Sequence, residues 1–597
     1  MSQRKNFMLC ALFFIFFALQ FTGCSPSNPN TEQNETIDQL AEDYFEASLA
    51  LDPFNAPEYG FYQYNAILVD TNTDEFLKKK HELNHKFLDQ LKTIDRHLLS
   101  EQQKLTFDIL KRELEYLIIE ERYPSRFLPM DQFYSIPVEF ARYGSGEAAQ
   151  PFQTPEDYQN FIKKMKGFRQ WSNSAIARME EGTQSHVVLP KVLVQRMIHQ
   201  FDAQLVKEIH QSPFYGPLNR IPMHWSEEDK QTTMKEYTQA LHTYVFPTYQ
   251  KLADYLRQTY LIKARGTSGL WDIPNGKEWY QFLSNEHTTT TTPVSEIHQL
   301  GLNEVTRIHT QMREVQINLN ISGDFRSFLS KMTTDPDFFF PDNESLLSAY
   351  RTTGKQIAQK LPEYFVSIPK SQYEIRAVED YRAASAAAAS YVAGSPDGSR
   401  NGIFYLNTRD LKAQPKWGVV TLSLHEAEPG HHFQVSLSQE QTGLPTFRRF
   451  GSYTAFEEGW ALYSEHLGVE MGLFDDPLQY FGKLSDELLR AMRLVVDTGI
   501  HAKGWTREQA IHYMLSNSAM SKPDVIAEVE RYMAIPGQAL SYKIGQLKIL
   551  DLRKKAKKTL GKQFVLKEFH EQILIDGAMP LDILEAKIDR WIAQKRI

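Results

Sequence analysis

The stretch that decides the fold is residues 419–432, which read Val419-Val420-Thr421-Leu422-Ser423-Leu424-His425-Glu426-Ala427-Glu428-Pro429-Gly430-His431-His432. Its first half is uncharged and can be buried. Its second half holds histidine and glutamate side chains that can bind a metal ion. Ionisable groups in a core must be paired or metal-bound, because unsatisfied polar groups there are unfavourable. The stretch therefore predicts a metal site in a packed interior or, as the alternative, a hydrogen-bonded structural cluster.

The histidines of this stretch lack the spacing of the zinc motif H-E-x-x-H, since position 429 is proline. On an unbroken helix, residue i+6 lies about 120° off the first face and residue i+7 about 10 Å along the axis. Neither His431 nor His432 could then share a metal with His425. Pro429 cannot donate a helical hydrogen bond, and Gly430 permits a sharp distortion. The sequence therefore predicts a helix distorted at 429–430, which returns one histidine to the metal.

A third ligand is available in the segment 456–465, which reads FEEGWALYSE. Its periodicity is helical, and Glu458, Leu462 and Glu465 fall on roughly one face. Glu458 can ligate a metal ion. Glu465 or Glu457 could hydrogen-bond a metal-bound histidine. Solvated helix carboxylates are the common alternative.

Most other segments also carry helical periodicity. Apolar residues recur at helical spacing in 37–45 and 98–119, long helices are expected in 232–265, and Thr292-Pro293 is a strong helix start. Strand signals are few. The best is 402–407, with a weaker one at 373–378. We expect a mainly α protein with a small sheet just before the histidine stretch, and lobes at 36–290 and 291–597.

The first residues predict the compartment. Arg4 and Lys5 precede an apolar run at 7–21 that is typical of a secretory signal at 1–23. The run is shorter than the about 20 residues that a membrane-spanning helix needs. Such a helix is the alternative interpretation of this segment. Residues 21–24, FTGC, resemble a bacterial lipobox, which implies lipid attachment to Cys24. Ser25 then resembles the pattern that sorts lipoproteins to the outer membrane, facing the periplasm. Residues 24–35 are polar and predict a flexible tether.

Composition excludes other roles. The chain of 597 residues has two cysteines, Cys10 and Cys24, so the mature protein has no thiol for catalysis or metal binding. A hydrophobic fraction of 42% predicts a well-filled core. The net charge of −8 argues against a nucleic-acid partner, and we expect membrane contact through the lipid anchor only.

A literal H-E-x-x-H does occur at residues 81–85. Three lysines precede it and another follows it, and clustered ammonium groups repel Zn²⁺. Glu82 is expected to point to solvent. We interpret this segment as a surface amphipathic helix rather than a metal site.

The motifs H-E-x-x-P-G-H-H and E-G-W-A-L-Y together resemble a large bacterial family of unknown function that is grouped with the gluzincin metallopeptidases. Residues 493–505 and 531–545 also match, so the resemblance covers nearly the whole mature chain. It implies a large multi-helix, zincin-like architecture with a deep cleft.

The resemblance also implies roles for individual residues. One zinc ion would be held by His425, His431 and Glu458, with Glu426 as the general base for a zinc-bound water. His431 is preferred to His432 because many gluzincins place the second histidine after glycine. His501 and Tyr542 are the candidate oxyanion donors. Arg448, Arg449 and Arg493 could pair with a peptide carboxylate, and strand 402–407 could bind a peptide by strand addition.

The function that follows is a zinc-dependent hydrolase, with a peptidase acting on oligopeptides as the first hypothesis. The same chemistry serves a hydrolase of another small amide or an ester. A non-catalytic cell-surface binding protein is a third hypothesis. The intact Glu426 argues against it, because a site without catalysis has no use for a base.

Overall fold

The computed structural model describes residues 29–379, 383, 387–396, 398 and 400–596, with the backbone alone for 29–36. The predicted signal at 1–23, Cys24 and residues 25–28 lie outside the described residues. The first helix, α1, spans Pro29–Leu51. It therefore begins inside the segment 24–35 that the sequence predicts as a tether. Proline suits the first turn of a helix, which is where Pro29 lies.

Helices make up 71% of the structure, which confirms the mainly α prediction. The first half of the chain forms α1, α2 Asp74–Lys92, α3 Glu101–Glu120, α4 Ile136–Gly144, α5 Pro155–Gln184, α6 Lys191–Asp202, α7 Glu227–Ala240, α8 Phe246–Tyr255, α9 Leu261–Lys263, α10 Gly276–Thr288, α11 Val294–Asn318, α12 Phe325–Thr334 and α13 Asn343–Tyr364. The second half forms α14 Val419–Leu422, α15 His431–Glu440, α16 Thr446–Arg449, α17 Thr454–Glu470, α18 Pro477–Ala502, α19 Arg507–Asn517, α20 Lys522–Ala534, α21 Ser541–Leu560, α22 Leu566–Leu574 and α23 Leu581–Lys595.

The predicted small sheet precedes the histidine stretch. It contains β1 Tyr373–Ala377, β2 Ala389–Val392 and β3 Gly402–Leu406, in the order β1-β3-β2. β3 pairs parallel with β1 and antiparallel with β2, and all its residues are buried. Strand 402–407 therefore cannot bind a peptide by strand addition, because both its edges are occupied. Among the described residues, β1 and β2 are the two edge strands of this sheet.

The hydrophobic cores do not follow the predicted lobes. The largest core joins apolar residues of α1–α3 to those of α17, α21 and α23. Tyr44 of α1, for example, packs edge-on against Phe447 of α16, with ring centroids 5.8 Å apart. A second, aromatic core lies within residues 54–264. Packing thus crosses the boundary predicted between residues 290 and 291, because the first helices bury their apolar faces on the C-terminal ones.

Two helices, α17 and α21, cross at backbone contact and position the site. A Cβ on Gly459 of α17 would lie 2.5 Å from the Cα of Gly545 of α21. A Cβ on Gly545 would lie 1.9 Å from the carbonyl oxygen of Ala455. Glycine is therefore required on both helices, since real Cβ atoms do not approach this closely. The crossing brings Glu458, beside Gly459, near Tyr542, one turn before Gly545.

Candidate metal centre

The helix that carries His425 is broken where the sequence predicts a distortion. α14 runs into a π-helical turn, Ser423–Ala427, and Glu428 is extended, with φ −119° and ψ 132°. The Glu428–Pro429 peptide is cis, and a new helix, α15, starts at His431. The change of direction places His431 beside His425, with ring centroids 4.8 Å apart.

Close backbone packing holds this break. A Cβ on Gly430 would lie 1.9 Å from the carbonyl oxygen of His425 and 2.4 Å from that of Leu424. Only glycine fits there. From α17, the indole nitrogen of Trp460 donates a 2.7 Å hydrogen bond to the carbonyl oxygen of Pro429. The tryptophan of the E-G-W-A-L-Y motif thus fixes the loop between the two histidines.

One group of side chains in the described part of the chain has the arrangement of a metal site: His425, His431 and Glu458, whose ligand atoms all lie within 4.8 Å of one another. The Nε2 atoms of both histidines are 3.4 Å from Oε2 of Glu458. Good hydrogen bonds of this kind are shorter, at about 2.7–3.2 Å. Two ligands of one tetrahedral zinc, each about 2.0–2.1 Å from the ion, stand about 3.3–3.4 Å apart. The observed separations therefore fit a shared cation.

The electrostatics of the group agree with this fit. Burial lowers the pKa of His425, but Glu458 and Glu465 outweigh burial and raise that pKa to about 10. Burial raises the pKa of Glu458, but His431 and His425 outweigh it and hold the carboxyl well below its usual range. The carboxylates therefore stabilise a positive charge at this point, whether it is a proton on a histidine or a metal ion.

Glu465, rather than Glu457, orients His425. Oε1 of Glu465 is 2.7 Å from Nδ1 of His425, and the carboxylate is 1% exposed. A proton on Nδ1 shared with Glu465 leaves Nε2 free to ligate. Behind Glu465, Arg490 of α18 lies 4.0 Å away and donates a 3.0 Å hydrogen bond to Asp486. Sequence reasoning missed Asp486 and Arg490, because they lie on α18 before the matching segment 493–505 and belong to no recognised motif.

His432 faces away from the group. Its Nδ1 is 2.9 Å from the hydroxyl of Tyr391, and its Nε2 donates to the carbonyl oxygen of Ser371 at 3.1 Å. Both ring nitrogens are thus used to attach α15 to the sheet and its preceding loop. Of the two adjacent histidines, His431 is the one that joins His425 and Glu458.

The structure corrects the expectation for His501. This side chain is fully buried, accepts a hydrogen bond from the backbone N–H of Leu270 and donates one to the carbonyl oxygen of Tyr532. No proton remains on the ring for a substrate oxyanion. Burial lowers the pKa of His501 to about 3, so it stays neutral at ordinary pH. Its role is to join α18 to neighbouring backbone.

Two of the arginines considered for a substrate carboxylate are also structural. Arg448 is buried and donates to Thr106 and to the carbonyl oxygen of Asp576. Arg449 donates to the carbonyl oxygen of Gln439. Arg493 instead lies beside Tyr542, with its guanidinium carbon 4.2 Å from the ring centroid. Tyr542 therefore stays a candidate, in a cluster of arginines that the sequence did not show.

The literal H-E-x-x-H at residues 81–85 lies on α2, which is a surface helix as predicted. His81 pairs with Glu121 at 2.7 Å, and Lys78 lies 3.7 Å from Glu82, whose side chain is 61% exposed. Within the described ranges, these residues do not join a group able to hold a metal. The local spacing is right, but the third ligand and the burial are missing.

Together, these features define a class: a mainly helical protein in which a broken helix brings two histidines and a glutamate into one half-buried group. The chain belongs to the family described as "Bacterial protein of unknown function (DUF885)", whose model matches residues 53–588.

Solved structures are similar over nearly the whole chain. A "putative lipoprotein" from Colwellia psychrerythraea is 30% identical, with a TM-score of 0.86, and the match covers 95% of this chain and 99% of that one. A "putative lipoprotein of unknown function" from Shewanella oneidensis has a TM-score of 0.70 at 18% identity, covering 92% of this chain and 99% of that one. The second likeness shows the fold alone. No curated protein matches the chain.

Proposed function

We propose that this protein is a zinc-dependent hydrolase that cleaves oligopeptides, with the zincin-like architecture and cleft that its motifs imply. The observation that carries the proposal is the group His425, His431 and Glu458, with two 3.4 Å separations that suit one tetrahedral ion. Two imidazoles and one carboxylate are a ligand set that zinc favours. When bound, zinc would supply a Lewis-acidic centre that activates water and polarises a carbonyl.

Glu426 is the proposed general base. It directly follows His425 in the π-helical turn and is half-buried, so part of its side chain is open to solvent. Its carboxylate takes a proton from the attacking water and returns it to the leaving amine. A substrate peptide would pair with β2, one of the two edge strands, which is bonded to β3 on one side. Tyr391 of β2 also bonds His432, which ties this strand to the ligand-bearing helix α15.

We also propose that the chain is attached to the outer membrane through a lipid on Cys24 and faces the periplasm. The support is the lipobox-like segment 21–24 and the description of the Colwellia psychrerythraea protein as a "putative lipoprotein". Among the described helices, none is both long enough and apolar enough to span a membrane. Labelling of cells with a fatty-acid probe should mark the wild type and Cys10→Ala, but not Cys24→Ala. Equal labelling of Cys24→Ala would reject the anchor.

The zinc proposal is tested by the metal content of purified protein and of matched variants. The wild type should bind one zinc, His425→Ala should lose it, and His81→Ala, in the surface H-E-x-x-H, should keep it. Glu426→Gln should keep zinc but lose turnover of a peptide library by about 10²–10⁴-fold. A wild type without stoichiometric metal would refute the proposal. Full turnover by Glu426→Gln would refute the assignment of the base.

A further inference from the structure

A cluster of arginines surrounds Tyr542 at the end of α21 nearest the metal group. The guanidinium of Arg493 stacks over the phenol ring, and Nη2 of Arg531 donates a 3.2 Å hydrogen bond to the hydroxyl. Arg531 also donates to Oε1 of Gln538 at 3.0 Å. The phenol is therefore held in place by two cations rather than by apolar packing alone.

The cluster has more positive than negative charge. Glu528 accepts two hydrogen bonds from Arg493, at 3.0 and 3.1 Å, and lies 4.0 Å from Arg531. Two guanidinium groups thus share one carboxylate, and the other partners of Arg531, Gln538 and Tyr542, are neutral. Nε of Arg531 is buried and has no hydrogen-bond partner among the residues described. A buried donor of this kind is unfavourable unless a ligand or a water molecule satisfies it.

The crossing of α17 and α21 connects the cluster to the metal group. The Gly459–Gly545 contact places Tyr542 and Glu458 at the same crossing of α17 and α21. Tyr134 is 65% exposed, yet burial raises the pKa of its phenol, with Arg531 opposing the rise and Tyr542 and Glu458 adding to it. The ring is therefore open to solvent, while its hydroxyl is influenced by the charges of the cluster and of the metal group.

The turn that carries Tyr134 is connected to the arginine cluster through helix α6. Asp131 caps the turn by accepting from the backbone N–H groups of Phe133 and Tyr134. Gln200 of α6 donates to the carbonyl oxygen of Gln132 at 3.0 Å. Arg196, on the same helix, pairs with Glu530, the neighbour of Arg531 on α20. Helix α6 therefore connects the turn that carries Tyr134 to the helix that carries Arg531.

We propose that Arg531, with the hydroxyls of Tyr542 and Tyr134, binds the free C-terminal carboxylate of a peptide substrate. This inference rests on the proposed function and names its substrate class: the enzyme acts from the C-terminal end of short peptides. A substrate carboxylate would supply the negative charge that the cluster lacks, and guanidinium groups suit carboxylates geometrically. Arg493 positions Tyr542 and does not itself touch the substrate.

The test compares pairs of peptides that differ only in a free or an amidated C-terminus. The wild type should hydrolyse the free acid with a kcat/KM about 10–100-fold higher, which is the usual strength of a hydrogen bond to a charged group. Arg531→Gln should remove this preference by raising KM for the acid alone, and Arg531→Lys should restore part of it. Tyr542→Phe and Tyr134→Phe should each lower the preference by a smaller factor.

Arg553→Gln is the matched control. Arg553 also donates to a tyrosine hydroxyl, that of Tyr463, at 3.2 Å, and also pairs with a carboxylate, that of Glu470. It lies on α21, about 16 Å along the helix from Tyr542 at 1.5 Å per residue. Arg553→Gln should keep the wild-type preference, which separates a substrate contact from a general loss of ion pairs.

Binding provides a second measurement that does not need turnover. Calorimetric titration of the Glu426→Gln protein should show tighter binding of the acid peptide than of its amide, and the added Arg531→Gln change should abolish the difference. Equal hydrolysis and equal binding of acid and amide by the wild type would overturn the inference while leaving the hydrolase intact. Absence of zinc and of all peptide hydrolysis would instead overturn the proposed function.

Discussion

Replacing Gly430 by alanine should damage the metal group while leaving the fold in place. The added Cβ would lie 1.9 Å from the carbonyl oxygen of His425 and 2.4 Å from that of Leu424. Both are backbone atoms, so no side-chain rotation can relieve the contact. Either the turn that carries His425 or the start of α15 at His431 must move.

The required movement can be estimated from the structure. The short end of Cα–H···O contacts is a carbon–oxygen distance of about 3.3 Å, so the 1.9 Å approach requires a shift of about 1.4 Å. Zinc sites tolerate deviations of only about 0.2 Å in ligand distance. The shift therefore removes one of the two histidines from the site. Loss of a residue that hydrogen-bonds a metal ligand lowers metal affinity about 10–100-fold, and we expect a larger fall in zinc affinity here. The free energy of unfolding should fall by about 1–3 kcal/mol.

The assay is competition for zinc with a chelator of known affinity, together with thermal unfolding. Gly443→Ala is the matched control, because a Cβ there would meet no atom within 4 Å. It should bind zinc like the wild type. If Gly430→Ala also binds zinc with wild-type affinity, the close packing of the break does not set the ligand geometry, and the reasoning fails.

Three further predictions concern side chains around the site. Glu465→Gln should weaken zinc binding about 10–100-fold in the same chelator competition, because it weakens the hydrogen bond that orients His425; an unchanged affinity would remove Glu465 from the site. His432→Ala should keep one zinc per chain but melt at a lower temperature, because it loses the bonds to Tyr391 and Ser371; loss of metal would contradict the choice of His431. His501, with a folded pKa of about 3 against an ordinary 6.5, binds its proton in the unfolded chain first as pH falls. The free energy of unfolding should therefore drop by about 1.4 kcal/mol per pH unit between these values. In His501→Gln that part of the pH dependence should vanish. Urea titrations at a series of pH values measure the unfolding free energy. If its slope against pH is the same in His501→Gln as in the wild type, His501 is not buried and neutral.

Local chemistry explains what could be predicted about the metal group. Helical periodicity and the rarity of strand signals led to the mainly α fold. The spacing of the histidines requires a break in the helix, and Pro429 and Gly430 are residue types that interrupt helices. The break could therefore be predicted from this short segment alone. Lysines around residues 81–85 showed that the literal zinc motif is exposed, and the ion pairs of His81 and Glu82 agree with this.

The features that could not be predicted depend on contacts between residues that are far apart in the sequence. The cores that join α1–α3 to the C-terminal helices, and the crossing at Gly459 and Gly545, depend on contacts between segments far apart in sequence. His501 lies within a matching segment, but its backbone partners at Leu270 and Tyr532 come from other elements. A strand's place in a sheet is likewise a tertiary property, and β3 proved to be central.

The sequence by itself determined the helical class, the ligand types and the point where the helix must break, because each depends on neighbours within a few residues. Only the tertiary structure decided that His431 rather than His432 joins the group, and that Glu465 rather than Glu457 orients His425. The physical reason is that a side chain's partner is set by how helices cross, and the crossing of α17, α18, α20 and α21 is fixed by packing that no single segment encodes.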